Sequence, residues 1–193
     1  MTRIIAGVAG GRRIAVPPGQ RTRPTTDRTR EALFSSLVSL LGPLDGARVL
    51  DLYAGSGALG LEALSRGAER ALLVENDAKA LRALRANVRD LGLPGAQVAA
   101  EPVERVVGAP PGSAYGGPYD VVLADPPYAT TAERVERVLA DLIGHGWLAD
   151  GAVVAVERSS RGLGPAWPAG LVAERERRYG EATLWYGRAD RRS

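Results

Sequence analysis

The feature that most limits the fold is an alternation of short apolar runs and amphipathic segments that begins at residue 48. The apolar runs predict strands, and the segments between them have the apolar spacing of helices. Strands and helices in alternation form parallel sheets whose right-handed crossovers place helices on both faces. The predicted strands cover residues 48–53, 71–75, 97–100, 119–125 and 152–157, and the predicted helices cover residues 58–66, 77–91, 102–107 and 132–143.

The end of the chain breaks this alternation. Residues 172–179 and 182–187 predict two strands that are joined at Gly180-Glu181 with no helix between them. Strands joined by so short a turn pair antiparallel. We therefore expect an α/β fold with a doubly wound, mostly parallel, seven-stranded sheet that ends in an antiparallel hairpin.

The segment before residue 48 predicts a small appendage. Residues 3–8 and 13–16 read as two strands around Ala9-Gly10-Gly11, which predicts a small N-terminal β-hairpin. A helix is expected from Thr26 or Asp27, either of which suits an N-cap, to about residue 41.

The first 30 residues also differ from the rest in charge. They contain seven arginines and one acid, a balance of +6, whereas the remainder of the chain has a balance of −3. An arginine-rich segment on a mildly acidic body indicates a polyanionic partner, and a solvated charged segment is the alternative. We expect a basic hairpin or arm over residues 1–24 and one larger domain over residues 25–193.

Composition excludes several kinds of site. The chain has no cysteine and a single histidine, His145, so disulfides, thiolate metal sites, a cysteine nucleophile and a histidine-rich metal site are not expected. Its apolar runs are shorter than the roughly 18 residues of a membrane span, and residues 1–5 do not resemble a secretory signal. We therefore expect a cytoplasmic protein that uses no metal and is not associated with a membrane.

A glycine-rich turn follows the first long strand. Gly55, Gly57 and Gly60 match the pattern G-x-G-x-x-G, and Glu75 lies 20 residues after Gly55. Taken alone, this pattern fits a dinucleotide-binding site. The preceding Asp51 favours another cofactor, because a carboxylate would repel the pyrophosphate that such a site holds at its helix N-terminus.

A carboxylate at this position suits a cofactor that has no phosphate and carries a cationic amino group, and S-adenosylmethionine is such a cofactor. Glu75, at the end of the second strand, is expected to accept hydrogen bonds from ribose hydroxyls. Tyr53 is expected either to pack in the core or to contact the cofactor or base. The predicted cofactor residues of this region are Asp51, Tyr53, Ala54, Gly55, Ser56, Gly57, Gly60, Glu75 and Asn76.

The second chemical signal is Asp125-Pro126-Pro127-Tyr128, which ends the fourth long strand. In a parallel sheet this is the carboxyl edge, beside the glycine turn. An exocyclic amine of a base is a poor nucleophile because its lone pair is delocalised into the ring. Asp125 and a carbonyl of the rigid proline pair are expected to accept both N–H bonds, and Tyr128 to stack on an extruded base. Alone, these residues fit adenine N6, cytosine N4, guanine N2 or a protein glutamine.

Further motifs suggest one family. They are Arg23-Pro24-Thr25-Thr26-Asp27-Arg28-Thr29-Arg30-Glu31, the extended glycine motif over residues 51–66, Asp125-Pro126-Pro127-Tyr128, Gly146-Trp147-Leu148 and Val156-Glu157. With them the chain resembles, from about residue 3 to residue 186, the bacterial 16S rRNA guanine(966)-N2 methyltransferase family. The resemblance implies a class I methyltransferase fold and S-adenosylmethionine-dependent transfer to the N2 amine of one guanine in 16S rRNA, within the small ribosomal subunit.

The resemblance also implies roles for individual residues. Thr25 and Thr26 would lie over the cofactor and the target base, and Glu101 stands where many class I enzymes place an Asp or Asn that binds the adenine amine. The expected RNA-binding residues are Arg3, Arg12, Arg13, Arg21, Arg23 and Arg28. Nothing in the sequence suggests an obligate dimer, so we expect a monomer.

Several alternatives stay open at this point. A DNA or RNA adenine- or cytosine-amine methyltransferase shares both main motifs, but no separate target-recognition domain is evident. Asp51 and the Asp-Pro-Pro-Tyr motif disfavour a nicotinamide-dependent oxidoreductase, and a non-catalytic RNA-binding module would not need three acidic residues at strand ends. We expect His145 to cap a helix and the three tryptophans to pack rather than to act on substrate.

Overall fold

The computed structural model describes residues 2–17 and 27–191. Its strands are β1 (Thr2–Arg3), β2 (Arg13–Ile14), β3 (Arg48–Leu52), β4 (Arg70–Val74), β5 (Ala96–Ala99), β6 (Tyr119–Ala124), β7 (Leu148–Ser159), β8 (Leu171–Tyr179) and β9 (Ala182–Ala189). Its helices are α1 (Asp27–Leu41), α2 (Ala58–Ser65), α3 (Ala78–Leu91), α4 (Val103–Val107), α5 (Gly112–Tyr115) and α6 (Ala132–Gly144).

The seven long strands form one sheet in the order β5-β4-β3-β6-β7-β9-β8. The five strands from β3 to β7 pair parallel, and β9 pairs antiparallel with both β7 and β8. The predicted parallel sheet with a terminal antiparallel hairpin is therefore confirmed. The edge strand β8 has mostly exposed charged side chains, which discourage pairing with another chain.

Both faces of the sheet are covered, which is why the central strands are apolar at almost every position. One apolar core joins the sheet to α1, α2 and α3, and a second joins its other face to α4 and α6. Trp147 is fully buried in the second core, as expected. Among the described residues, no helix is long and apolar enough to span a membrane.

The N-terminal segment differs from the predicted hairpin, because each of its two strands is only two residues long. The backbone N–H groups of Ile5 and Ala6 donate to the Glu62 carboxylate, and that of Ala9 donates to the Ser65 hydroxyl. The N–H groups that would donate across a longer hairpin thus donate to side chains of α2 instead. Residues 5–9 therefore follow the surface of α2 instead of pairing with residues 13–16.

Close packing fixes this arrangement. Gly7 has a φ of +81°, and a Cβ atom on it would lie 1.8 Å from the Ser65 carbonyl oxygen, so no other residue fits there. Ile4 and Ile14 are buried in the core beneath α1. Residues 2–17 thus pack against the main core through Ile4, Ala9 and Ile14. The boundary predicted between residues 24 and 25 lies outside the described residues.

A buried arginine ties this segment to α1. The Arg30 guanidinium donates to the Thr2 hydroxyl at 3.0 Å, to the Arg3 carbonyl at 2.7 Å and to the Asp27 carboxylate at 2.9 Å. Arg30 also lies 3.8 Å from the Glu62 carboxylate of α2. The first turn of α1 and the start of the chain are therefore held together by charge as well as by apolar packing.

Candidate active site

The glycine turn connects the end of β3 to the start of α2. The Asp51 carboxylate accepts a hydrogen bond of 2.9 Å from the Gly60 N–H, and only 1% of Asp51 is exposed. A Cβ atom on Gly60 would lie 2.4 Å from Leu73 Cδ2, so glycine is needed where α2 crosses close to the sheet. Gly55 and Gly57 adopt φ values of +58° and +84°, which favour glycine, and a Cβ atom on Gly55 would meet open space.

Glu75 lies at the carboxyl end of β4, beside this turn. One of its carboxylate oxygens accepts from the Gly55 N–H at 2.8 Å, and the other accepts from the N–H groups of Asn76 and Asp77, both at 2.8 Å. A carboxylate has about four acceptor positions, so Glu75 retains capacity for a further donor. The structure thus brings Glu75 and the first glycine of the motif together, and Asn76 lies exposed beside them.

Three carboxylates interact at this edge of the sheet. Burial raises the pKa of Asp51 to about 7, the Gly60 N–H opposes that rise, and the negative charges of Asp125 and Glu75 add to it. Strands β3, β4 and β6 are parallel neighbours, so the residues at their carboxyl ends meet. The result is an acidic edge, as the positions of Asp51, Glu75 and Asp125 in the sequence predicted.

The Asp-Pro-Pro-Tyr motif directly follows β6, and a tight turn over residues 127–130 begins at its second proline. The Pro127 carbonyl accepts a hydrogen bond of 2.8 Å from the Thr130 N–H, which closes the turn. Pro126 is buried and Asp125 is half-buried, whereas 61% of Tyr128 is exposed. The turn therefore places an acid at the edge of the sheet and an accessible aromatic ring at its corner.

Tyr53 lies between the two motifs in an unusual conformation. Its φ of 60° is in the left-handed region, which a residue other than glycine rarely adopts. Its ring is half-buried against the core that contains α4 and α6, and its hydroxyl is buried without a hydrogen-bond partner among the described residues. Burial raises its pKa to about 12, and the Glu104 carboxylate adds to that rise. Tyr53 therefore packs against the core, and its contact with the cofactor or the base stays a prediction.

Glu101 follows β5 and has two partners. Its carboxylate accepts a hydrogen bond of 2.7 Å from the Tyr115 hydroxyl and lies 3.0 Å from Arg105 Nε. The hydrogen bond to Glu101 is the main reason that the pKa of Tyr115 is raised. Tyr115 lies on α5, in a glycine- and proline-rich segment between α4 and β6. An adenine contact by Glu101 stays a prediction.

The arginines predicted to bind RNA lie in different surroundings. Arg3 pairs with Asp27 at 2.8 Å, and Arg28 is exposed in the first turn of α1. The Arg12 guanidinium donates to the carbonyls of Leu91 and Asp90, at the C-terminal end of α3. Since α3 runs from the carboxyl edge of the sheet to the opposite edge, Arg12 lies away from the Asp-Pro-Pro-Tyr turn.

The other described residues of the predicted sites lie at the surface or in structural roles. Arg13 is exposed on β2, and its backbone lies opposite that of Arg3 in the antiparallel strand pair. His145 follows α6, and its Nδ1 lies 2.9 Å from the Val107 carbonyl, in agreement with a structural role. Four predicted residues lie outside the described part of the chain, and they are Arg21, Arg23, Thr25 and Thr26.

Sequence reasoning missed Asn87, which connects the N-terminal segment to the glycine turn. Its side-chain amide donates to the carbonyls of Ala15 and Ser56 at 2.8 and 2.9 Å, and its oxygen accepts from the Ala15 N–H at 2.8 Å. A signal was present, because Asn87 shares the helical spacing of the buried Ala80, Leu84 and Leu91. An amide on the apolar face of a helix indicates a specific polar partner.

Comparison with known proteins extends these observations. The model of the family described as conserved hypothetical protein 95 matches residues 2–188. Ribosomal RNA small subunit methyltransferase D of Escherichia coli strain K12 is 38% identical over 179 residues, which cover 93% of this chain and 85% of that protein. The structure of yhhF from Escherichia coli has a TM-score of 0.85 at 34% identity and covers 98% of each chain.

A more distant structure bears on the fold alone. Magnesium protoporphyrin IX methyltransferase from Synechocystis PCC 6803, solved with bound SAM, has a TM-score of 0.64 at 16% identity and covers 84% of this chain and 79% of that one. Together with the strand order, these likenesses confirm the predicted class I methyltransferase fold. The chain belongs to the conserved hypothetical protein 95 family, and ribosomal RNA small subunit methyltransferase D is among its homologues.

Proposed function

We propose that this chain transfers a methyl group from S-adenosylmethionine to the N2 amine of one guanine, position 966, in 16S rRNA within the small ribosomal subunit. The observation that carries the proposal is the meeting of Asp51, Glu75 and Asp125 at one edge of the sheet, beside a turn stiffened by two prolines. The 38% identity to ribosomal RNA small subunit methyltransferase D of Escherichia coli supports the substrate class.

The acidic edge fits this cofactor better than a dinucleotide. Three carboxylates near the glycine turn would repel a pyrophosphate and would attract a cation. S-adenosylmethionine, when bound, supplies a methyl group that is already activated on a sulfonium cation. Asp51 would face its amino group and Glu75 its ribose hydroxyls, while the open backbone at Gly55 leaves room for close approach.

The residues of the Asp-Pro-Pro-Tyr turn would prepare the amine. The Asp125 carboxylate and a backbone carbonyl would each accept one N–H bond, which localises the nitrogen lone pair and directs it for attack. Because the Pro127 carbonyl already accepts the Thr130 N–H, we assign the second acceptor to the Pro126 carbonyl. Asp125 would also receive the proton that the amine loses once the new N–C bond has formed.

Tyr128 would hold the base. Its exposed ring, at the corner of the turn, is placed to stack on a base that has left its helix or loop. Stacking of this kind contributes about 1–3 kcal/mol per base. The two prolines between Asp125 and Tyr128 restrict the backbone that joins them, which matters because methyl transfer depends on placement.

RNA would be held by the N-terminal part of the chain. The proposed phosphate contacts are Arg3, Arg12, Arg13, Arg21, Arg23 and Arg28. Thr25 and Thr26 are proposed to lie over the cofactor, and Asn76 and Glu101 to make further contacts with it. Arg28 has the most favourable described position, because it is exposed in the first turn of α1. We propose that the chain acts as a monomer in the cytoplasm, where ribosomal subunits are assembled in bacteria.

The decisive experiment maps methyl groups on 16S rRNA. We expect purified protein with S-adenosylmethionine to convert one guanine to N2-methylguanine in RNA or small subunits from cells that lack the protein. Asp125→Ala should abolish this transfer while leaving the dissociation constant of the cofactor nearly unchanged, because Asp125 holds the amine rather than the cofactor. A methyl group on adenine N6 or cytosine N4, or turnover retained by Asp125→Ala, would contradict the proposal.

A further inference from the structure

Arg158 contacts the segment that connects the Asp-Pro-Pro-Tyr motif to α6. It lies in β7, one residue before the end of the strand, and its Nη2 donates a hydrogen bond of 2.9 Å to the Thr130 carbonyl. Thr130 is 7% exposed, and its N–H closes the Asp-Pro-Pro-Tyr turn by donating to Pro127. Arg158 is therefore linked to the turn through both polar backbone groups of a single buried residue.

The register of the sheet explains why Arg158 reaches this place. Ala124, the last residue of β6, pairs with Val156 of β7. Two residues further along β7, Arg158 lies on the same face as Val156 and Val154, which pack in the core beneath α4 and α6. Its side chain is therefore directed toward the segment that leaves β6, and not toward solvent at the top of the strand.

The segment between β6 and α6 is held at both of its ends, and the bond from Arg158 adds a link to β7. At one end, Ala124 is held in the sheet. At the other end, the Thr131 hydroxyl caps α6 by accepting from the Arg134 N–H at 3.3 Å. Between them, both prolines lack an N–H group and cannot donate to any neighbour. The hydrogen bond from Arg158 to the Thr130 carbonyl joins this segment to β7, and the bond from Thr130 to Pro127 closes the turn beside it.

We propose that Arg158 is a positioning residue for methyl transfer: by holding the Thr130 carbonyl, it fixes the turn that presents Asp125 and Tyr128 to the base. This inference rests on the proposed function. Arginine suits the role because its planar guanidinium stays charged and its donors have a fixed direction. A displacement of about 1 Å in a group that aligns reacting atoms can lower a rate roughly 100-fold.

The inference separates catalysis from binding. Asp51 and Glu75, which would hold the cofactor, are bonded to the backbone of the glycine turn and not to Arg158. Arg158→Ala should therefore lower kcat by roughly 10- to 100-fold and leave the dissociation constant of S-adenosylmethionine unchanged. Arg158→Lys keeps a positive donor within reach of the Thr130 carbonyl and should recover part of kcat.

Arg161 provides the matched control. It lies three residues further along the chain and pairs with Glu181 at 3.4 Å, and 84% and 81% of these two side chains are exposed. An exposed pair of this kind contributes little to stability. Arg161→Ala should therefore leave kcat and the dissociation constant of the cofactor at their wild-type values.

The experiment measures single-turnover methyl transfer to 16S rRNA, cofactor binding by calorimetry, the salt dependence of RNA binding and the melting temperature, for all four proteins. The inference is overturned if Arg158→Ala keeps the wild-type kcat, or if Arg158→Lys recovers none of the lost kcat. It is also overturned if the affinity for the cofactor falls by the same factor as kcat, or if Arg158→Ala is unfolded at the assay temperature. A smaller salt dependence of RNA binding in Arg158→Ala would make Arg158 a phosphate contact instead, and would also overturn it. Inactive wild-type protein would refute the proposed function and this inference with it, whereas active wild type beside an equally active Arg158→Ala would refute the inference alone.

Discussion

The raised pKa of Asp51 leads to a test of how the chain recognises its cofactor. Burial, together with the charges of Asp125 and Glu75, raises this pKa from an ordinary value of 3.8 to about 7 in the folded protein. A bound cation would favour the ionised carboxylate. Cofactor binding should therefore tighten as pH rises through about 7, and at or below that pH it should release a proton from Asp51.

The size of the effect follows from the fraction of Asp51 that is ionised before the cofactor binds. With a pKa near 7, about one tenth of the protein carries the charge at about pH 6 and about three quarters at about pH 7.5. The affinity should therefore increase roughly eightfold across this interval. The same pKa works against folding, since the stability that the protonated carboxyl contributes is present below 3.8 and is lost as pH rises through about 7.

Calorimetric titration of S-adenosylmethionine in buffers of different ionisation enthalpy measures both the affinity and the proton release. Asp51→Asn is the control, because an amide oxygen can still accept the Gly60 N–H but has no charge to lose. We expect this variant to bind more weakly and to show no dependence on pH over this interval. A wild-type affinity that is constant between about pH 6 and pH 7.5, with no proton release, would refute the reasoning.

Two further predictions concern the N-terminal segment. Glu62→Ala should lower the free energy of unfolding by about 3 kcal/mol, because it leaves the partly buried N–H groups of residues 5 and 6 without an acceptor and Arg66 without a buried partner. Glu31 is exposed, so Glu31→Ala should lower it by less than about 1 kcal/mol in chemical denaturation. Equal losses would contradict the anchoring role of Glu62. Arg28→Ala should weaken RNA binding and reduce by about one the slope of the logarithm of the RNA association constant against the logarithm of salt concentration. Arg12→Ala should change both the affinity and the slope less, because the Arg12 guanidinium bonds to the end of α3. A larger effect for Arg12→Ala would place RNA at the opposite edge of the sheet.

Much of the site follows from local order along the chain. Asp51, Glu75 and Asp125 each lie at or just after the end of an apolar strand, and parallel strands bring such positions to the same edge whatever the details of packing. The glycines of the turn could be predicted for a similar reason. A tight turn and a close helix crossing need a residue without a Cβ atom, and the sequence supplies glycine at each such position.

The N-terminal hairpin could not be predicted in the same way. The apolar residues at 3–8 and 13–16 are typical of paired strands, but the N–H groups of Ile5, Ala6 and Ala9 find acceptors on α2, more than 50 residues away in the sequence. The charge of Arg12 likewise suggested a polyanionic partner, and only packing directs its guanidinium to the carbonyl end of α3.

The sequence by itself determined the order of strands and helices and the edge of the sheet at which Asp51, Glu75 and Asp125 meet, because these depend on short-range patterns and on the handedness of the chain. The tertiary structure alone decided which polar groups become partners across distant segments, as Asn87 does for Ala15 and Ser56, and Arg158 for Thr130. The physical reason is that a buried polar group must find a partner wherever the fold brings one within hydrogen-bond distance, and residue types and spacing along the chain do not encode that distance.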